Sequence, residues 1–167
     1  MRSRARAALG SAAFFVIAPG TVAGLIPWLI SRWEFDTPLP YWGVARVVGA
    51  LLIIGGLIPL VTAFVEFIRA RGVPIPTAPT ERLVVDGFNR YVRNPMYVGL
   101  VAIIGGQALL FGNGWVLLWA LCFLTLTATF VRIYEEPTLH RTYGEQYDRY
   151  RANVPGWLPR TRPWSPS

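Results

Sequence analysis

The sequence predicts an all-α, polytopic membrane protein with about four transmembrane helices, and three observations lead to this fold class. First, 53% of the 167 residues are apolar and the mean hydropathy is +0.40, which is high for a soluble domain. Second, the apolar residues fall into four runs separated by polar segments. Third, the basic charge comes from 16 Arg and no Lys, and these arginines lie mainly at the ends of the apolar runs. We therefore predict a single integral membrane domain over residues 1–167.

The first two apolar runs, residues 9–30 and 44–68, are long enough to cross a membrane. A helix rises about 1.5 Å per residue, and the hydrocarbon core is about 30 Å thick. The arginines before the first run, with a cleavage-like segment at 21–23, also resemble a secretory signal peptide. The run continues beyond the usual length of such a peptide, which favours a membrane span. Kinks in this helix are predicted at Pro19, Gly20 and Pro27.

The next two runs, residues 96–111 and 115–131, predict a helical hairpin. Gly112-Asn113-Gly114 between them supplies the residues typical of a tight turn. Each run gives only roughly 24 to 26 Å of helix, so this pair either crosses the hydrocarbon core marginally or only dips into it. Gly105-Gly106 in the third run indicates close packing against a neighbouring helix, although a ligand would be able to use the same bare backbone.

Two polar segments complete the chain. Residues 69–94 form a loop that is rich in arginine and interrupted early by prolines. Residues 132–167 form a cytoplasmic tail, in which apolar and aromatic residues recur at steps of three or four and predict an interfacial helix. These residues are Leu139, Tyr143, Tyr147 and Tyr150. Gly144 weakens that helix in the middle, and both internal packing and membrane contact would account for the stripe.

The distribution of arginine predicts the orientation of the chain. All the arginines except Arg32 and Arg46 fall on one side of the predicted spans. Because positively charged loops are retained in the cytoplasm, both termini are expected there, with the protein in the plasma (inner) membrane. Aromatic residues suited to the opposite interface are Trp28, Trp33, Tyr41, Trp42 and Trp115.

The hairpin brings two polar clusters side by side at its open, cytoplasmic end. Residues 90–97 enter the third span, and residues 132–136 leave the fourth. This proximity follows from connectivity alone, because a short antiparallel pair with a tight turn at one end must place its other two ends together. A composite site is therefore expected there.

The first cluster contains a helix start. Asn94 suits the N-cap position and Pro95 suits the first turn. The free amides of a helix start attract anionic groups, so a ligand carboxylate would dock there with Arg93 or Arg90. Contact of these arginines with lipid phosphate is the alternative.

The second cluster contains two acidic residues, Glu135 and Glu136. The helix dipole and an anionic membrane surface both disfavour them at a cytoplasmic helix end, so a positive partner is needed. Arg132 lies three and four residues earlier, which makes an internal ion pair one explanation and a bound cation the other. Adjacent helical residues differ in direction by about 100°, so at most one of the two glutamates points into a shared pocket.

Several classes of site are excluded by what the sequence lacks. His140 is the only histidine and Cys122 the only cysteine, so we predict neither a metal site nor an intrachain disulfide. Without lysine, a Walker-type phosphate loop cannot form. The net charge of +7 lies at the ends of apolar runs, which indicates membrane lipids and not nucleic acid as partners.

Three motifs in this order resemble the isoprenylcysteine carboxyl methyltransferase family, which is similar in its C-terminal half to phospholipid N-methyltransferases. The motifs are Arg93-Asn94-Pro95-Met96-Tyr97, Glu135-Glu136, and Tyr143-Gly144-Glu145-Gln146-Tyr147 continuing through Val154-Pro155. The likeness covers roughly residues 87–159. It implies S-adenosylmethionine as methyl donor, bound at the cytoplasmic ends of the last spans. It also implies an isoprenoid or phospholipid-like acceptor that enters from the lipid.

The resemblance further implies roles for individual residues. The implied cofactor-binding residues are Arg93, Asn94, Pro95, Tyr97, Glu135 and Glu136. Asn94 stands where the family has histidine, and because it cannot titrate, it is not expected to shuttle protons. The predicted catalytic residues are Glu136 and Arg132, the latter to orient a carboxylate acceptor.

Two other functions compete with a methyltransferase. Related membrane reductases that use NADPH share a similar C-terminal helical arrangement, although they have more spans before this region. A non-catalytic membrane scaffold that has kept the motifs is the third hypothesis. The sequence leaves open whether the acceptor is a carboxylate or an amine, and it leaves open the oligomeric state.

Overall fold

The computed structural model describes residues 16–69, 83 and 85–165, and of residues 63, 64 and 66–69 it describes only the backbone. The beginning of the first predicted span and the proline-rich part of the predicted loop, residues 70–82, lie outside the described residues.

The regular elements in the described residues are all helical, which confirms the predicted all-α class. They are α1 (Val16–Ser31), α2 (Gly43–Arg69), a 3₁₀ turn (Gly87–Arg90), α3 (Pro95–Phe111), α4 (Gly114–Tyr143) and α5 (Glu145–Asn153). Two of them are long and apolar enough to cross a membrane, α2 over Gly43–Thr62 and α4. In the most apolar stretches of α2 and α4, only 11% and 28% of the residues are buried, so most of these apolar side chains face outward.

Helices α3 and α4 form the predicted hairpin. Gly112 ends α3 with a left-handed φ of +69°, a conformation that glycine adopts without steric cost. Asn113 then caps α4, because its side chain accepts hydrogen bonds from the N–H groups of Trp115 and Val116 at 3.0 and 3.1 Å. The core between the two helices consists of Leu100, Ile104, Ala108, Val116, Ala120 and Phe123.

Helix α2 packs antiparallel against α3 through glycines. A Cβ added to Gly56 would lie 2.5 Å from the Gly99 carbonyl oxygen, and one added to Gly49 would lie 2.5 Å from the Gly106 carbonyl oxygen. The two backbones therefore approach too closely for any larger residue at these positions. This confirms the close packing predicted for Gly106, whereas a Cβ on Gly105 would meet no atom within 4 Å.

Helix α1 lies against α3 and α4 and contains a π-helical turn, Thr21–Leu25. The turn precedes Pro27, which lacks the N–H that would bond a carbonyl one turn earlier. Side chains from the hairpin supply replacement donors. Gln107 Nε2 donates to the Ala23 carbonyl at 2.6 Å, and Trp119 Nε1 donates to the carbonyl just before it at 3.0 Å. Just before Pro27, one of the predicted kink positions, the helix therefore forms a π turn and continues without a break.

Helix α4 continues past Val131, the predicted end of the fourth span, as far as Tyr143. It passes through a second π turn, Val131–Glu135, which ends shortly before Pro137. The predicted end rested on the polar residues that begin at Arg132. Polarity marks where a helix leaves an apolar environment and does not by itself end the helix.

The tail forms a small second core and not one continuous helix. Gly144, at a φ of +50°, separates α4 from α5. Tyr147 and Tyr150 of α5 are buried against Val85 and Val154, and we call these four residues the tail core. The predicted aromatic stripe therefore serves internal packing.

Candidate functional site

The start of α3 is joined to the C-terminal tail by hydrogen bonds. The Arg93 N–H donates to the Pro155 carbonyl at 2.9 Å, and Asn94 Nδ2 donates to the Gly156 carbonyl at 3.0 Å. Asn94 is buried at the N-cap position but makes no side-chain cap hydrogen bond. The predicted cap is therefore corrected: the Asn94 side chain holds the tail and leaves the first turn of α3 uncapped.

Arg93 is the centre of a polar cluster, which we call the Arg93 cluster. Its Nη1 lies 2.6 Å from Glu136 Oε1 and donates to the Tyr147 hydroxyl at 3.0 Å. Arg151 of α5 lies 3.3 Å from the other carboxylate oxygen of Glu136. The side chains of Arg93 and Glu136 are only 14% and 13% exposed, so their ion pair is largely shielded from water.

The tyrosines beside this cluster are neutral. Burial raises the pKa of the Tyr147 hydroxyl above its ordinary value, and the positive charge of Arg93 offsets only part of that effect. Burial also raises the pKa of Tyr150, whose hydroxyl donates to the Asn89 carbonyl at 2.8 Å. Tyr147 therefore acts as a neutral hydrogen-bond acceptor for Arg93.

Glu135 differs from Glu136 because its Oε2 atom is buried without a hydrogen-bond partner. Arg93 Nε, in the Arg93 cluster, is also buried and unpartnered. In the described part of the chain, the other such side-chain atom is Arg46 Nε, which lies near the far end of the hairpin. The predicted cofactor-binding residues thus include an unused acceptor on Glu135 and an unused donor on Arg93. Buried polar atoms are rarely left unpaired unless a ligand or water completes them.

Pro95 and Tyr97 lie in the first turn of α3. Pro95 occupies a position where its missing N–H costs nothing, as predicted. The Tyr97 ring stacks on Trp157 of the tail, with ring centroids 6.4 Å apart and an interplanar angle of 27°. The Glu135 carboxylate interacts electrostatically with the Tyr97 hydroxyl.

Two predicted arginines lie apart from this cluster. Arg132 is exposed, and within the described residues it forms no ion pair with Glu135 or Glu136. The π turn adds a residue at this point and so removes the helical spacing on which the proposed ion pair depended. Arg90 donates through Nε to the Trp164 carbonyl at 2.8 Å, so it binds the tail and not the Arg93 cluster.

Three residues of the site carry no role in the sequence prediction. Tyr147 belongs to one of the three motifs, but the sequence analysis predicts for it only a place in the aromatic stripe of the tail. Arg151 follows Tyr147 by four residues, so helical spacing alone would have placed it on the same face. Trp157 has no local signal, because its position depends on the hydrogen bonds that the preceding residues make to the start of α3.

An apolar groove of about 240 Å³ lies between α2 and α3, next to the start of α3. Val92 and Pro95, which flank Arg93-Asn94, line one end of it. Its other walls include Gly55, Pro59, Phe88, Val98 and Pro159. A second apolar groove, of about 340 Å³, lies between α1, α2 and α3 and is lined in part by Gly24, Leu57 and Ile103.

Comparison with known proteins confirms the resemblance predicted from the motifs. The phospholipid methyltransferase family model matches residues 44–146, which is more than half of the chain. A protein-S-isoprenylcysteine O-methyltransferase of Schizosaccharomyces pombe is 36% identical over 83 residues, which cover 46% of this chain and only 33% of that relative. No solved structure matches this chain. On the extent of the family match, the chain belongs to the phospholipid methyltransferase family.

Proposed function

We propose that this chain is an S-adenosylmethionine-dependent methyltransferase that acts on a lipophilic acceptor at the membrane surface. The observation that carries the proposal is that two of the predicted cofactor-binding residues keep unpartnered buried atoms, Glu135 Oε2 and Arg93 Nε. Family membership supports the reaction class, because the matching family and the curated relative are both named as methyltransferases.

Glu135 and Arg93 fit the charged groups of S-adenosylmethionine, which carries an ammonium, a carboxylate and a sulfonium. Glu135 would accept from the ammonium, and Arg93 keeps its Nε donor for the carboxylate while Nη1 holds Glu136. The uncapped first turn of α3 would add the backbone N–H groups of Met96 and Tyr97 as donors for the same carboxylate. Both oxygens of Glu136 already face arginines, so we assign it the role of holding Arg93 in place.

S-adenosylmethionine supplies an activated methyl group on its sulfonium. The protein must then align the acceptor and exclude water, and the tail, which is hydrogen-bonded to the start of α3, would contribute to both. A carboxylate acceptor is already ionised, whereas an amine acceptor must first lose a proton. Arg132 lies exposed on the same helix as Glu135, and its role in orienting an acceptor carboxylate stays a prediction.

We also propose that α1 to α4 cross the plasma (inner) membrane, with both termini in the cytoplasm. Helix α4 rises about 32 Å from Gly114 to Glu135, close to the thickness of the hydrocarbon core, so Glu135 would lie at the membrane boundary. Reporter fusions after Arg71 and after Ser167 are expected to report a cytoplasmic location. An extracytoplasmic signal after Ser167 would contradict this topology.

The groove between α2 and α3 is proposed to hold the apolar chain of the acceptor, because it is apolar and ends beside Arg93-Asn94. Gly55 lines this groove and Gly24 lines the other one, and a Cβ added at either position meets no atom within 4 Å. Gly55→Leu is expected to raise the KM for an N-acylated S-prenylcysteine without changing cofactor affinity, while Gly24→Leu leaves both unchanged. The reverse result would place the apolar chain of the acceptor in the other groove, between α1, α2 and α3.

The central test is the effect of ligands on the melting temperature of the detergent-purified protein. S-adenosylhomocysteine is expected to raise it, because a ligand that binds only the folded state stabilises that state, by about 2.7 kcal/mol at a concentration of 100 Kd. NADPH is expected to have no effect. A shift with NADPH alone would favour the reductase, and no shift with either compound would favour the scaffold.

A further inference from the structure

Trp157 lies in the tail, outside the three motifs, and stacks on Tyr97 at the start of α3 with ring centroids 6.4 Å apart. We infer that these two rings form an aromatic wall that recognises the positive sulfonium of the methyl donor and so distinguishes the donor from its uncharged thioether product. The inference rests on the proposed function and adds a specificity-determining residue to it.

The backbone just before Trp157 is held against the cofactor site. The Arg93 N–H donates to the Pro155 carbonyl at 2.9 Å, and Asn94 Nδ2 donates to the Gly156 carbonyl at 3.0 Å. A Cβ added to Gly156 would lie 3.2 Å from a guanidinium nitrogen of Arg93, so the tail runs directly past that side chain. These contacts hold the backbone that leads into Trp157 next to the start of α3.

The surroundings of the wall suit a cation. Tyr97 and Trp157 are each only partly buried, which leaves ring surface accessible to a ligand. Glu135 interacts electrostatically with Tyr97, and its Oε2 has no hydrogen-bond partner. The face of an aromatic ring attracts a cation, and tryptophan does so most strongly. The neutral sulfur of S-adenosylhomocysteine would gain nothing from the ring faces or from the carboxylate.

A purely structural role for the stacked pair is the competing explanation. The same tail contains a matched residue for separating the two roles. Trp164 packs against Tyr150 of the tail core in a tilted arrangement, with ring centroids 5.8 Å apart. The Tyr150 hydroxyl donates to the Asn89 carbonyl, and Tyr150 has no part in the proposed aromatic wall. Loss of Trp164 therefore removes an aromatic contact of the tail without removing the wall.

The experiment is a calorimetric measurement of the Kd of S-adenosylmethionine and of S-adenosylhomocysteine with the full-length detergent-purified protein. The variants are Trp157→Leu, Trp157→Phe and, as the matched control, Trp164→Leu. The preference is the Kd of S-adenosylhomocysteine divided by the Kd of S-adenosylmethionine. In Trp157→Leu, this ratio is expected to fall by about threefold to thirtyfold. Trp157→Phe should show a smaller fall, and Trp164→Leu should keep the parent's preference.

The outcomes separate this inference from the proposed function. If Trp157→Leu weakens both compounds equally and keeps the parent's preference, Trp157 only packs the tail and the inference is overturned. If the parent binds neither compound, the proposed function fails and the inference fails with it. If Trp157→Leu does not fold, Trp157→Phe decides the question, because a preference equal to the parent's in that variant also overturns the inference.

Discussion

The two π turns in the described residues share a local cause but differ in their surroundings. The turn in α1 ends at Leu25, just before Pro27, and the turn in α4 ends at Glu135, just before Pro137. In α1, the carbonyls near the proline accept hydrogen bonds from the side chains of Gln107 and Trp119. In α4, the turn carries Glu135, whose Oε2 has no partner.

The difference indicates which turn is structural and which belongs to the site. Gln107 also accepts from Trp33 Nε1 at 3.2 Å, so both ends of its amide are used, and this network joins α1 to the hairpin. A fully paired buried network contributes stability and specifies packing. A buried carboxylate oxygen without a partner lowers stability and is retained where function needs it. The following predictions test this contrast.

The largest effect is expected for Arg93→Gln, which removes the shielded partner of Glu136 and leaves only Arg151, whose side chain is 55% exposed. Breaking a buried ion pair on one side costs about 3–5 kcal/mol, so the free energy of unfolding should fall by about this amount. Cofactor affinity should fall as well, because the Nε donor is lost. Denaturant unfolding and calorimetry measure the two effects. Arg149→Gln, at an exposed position on α5, is the control, and an unchanged unfolding energy for Arg93→Gln would contradict the prediction.

The next effect is expected for Glu135→Gln and concerns ligand binding alone. Loss of a charge-assisted hydrogen bond should weaken S-adenosylmethionine binding by about 1.5–3 kcal/mol. Stability should not fall, because Oε2 makes no hydrogen bond in the free protein. Titration calorimetry and thermal unfolding provide the two readouts, with exposed Glu145→Gln as the control. Cofactor affinity equal to the parent's would remove Glu135 from the site.

The opposite pattern is expected for Gln107→Leu. It leaves the Ala23 carbonyl and the Trp33 indole without their partner, so the free energy of unfolding should fall by about 1–3 kcal/mol. Cofactor affinity should not change. Thr125→Val, which removes an exposed hydrogen bond within α4, is the control and should have little effect on unfolding. A loss of cofactor affinity in Gln107→Leu would show that the two polar networks are coupled.

The smallest effect is expected for Arg151→Gln. Its contact with Glu136 is 3.3 Å long and its side chain is 55% exposed, and exposed ion pairs contribute about 0–1 kcal/mol. Thermal unfolding at low and high salt measures the contribution, which should vanish at high salt because of screening. A loss as large as that of Arg93→Gln would show that Arg151 is the main partner of Glu136.

The sequence by itself determined the helical class, the hairpin and the meeting of residues 90–97 with α4. These depend on local properties: the apolar runs, the preference of Gly112 for left-handed backbone, and the short turn that forces the other two ends together. The same is true of Arg93, Pro95, Tyr97 and the glutamate pair, which lie in short motifs recognisable without a fold.

Only the tertiary structure decided what each site residue contacts. The partner of Glu136 is 43 residues away at Arg93, and the nearby Arg132 is turned away by a π turn that spacing rules do not anticipate. The tail places Trp157 on Tyr97 through two hydrogen bonds to the start of α3. Such contacts join distant segments and result from burial and hydrogen-bond pairing over the whole chain. For that reason the sequence could name both glutamates but could not tell which of them keeps an unpaired oxygen.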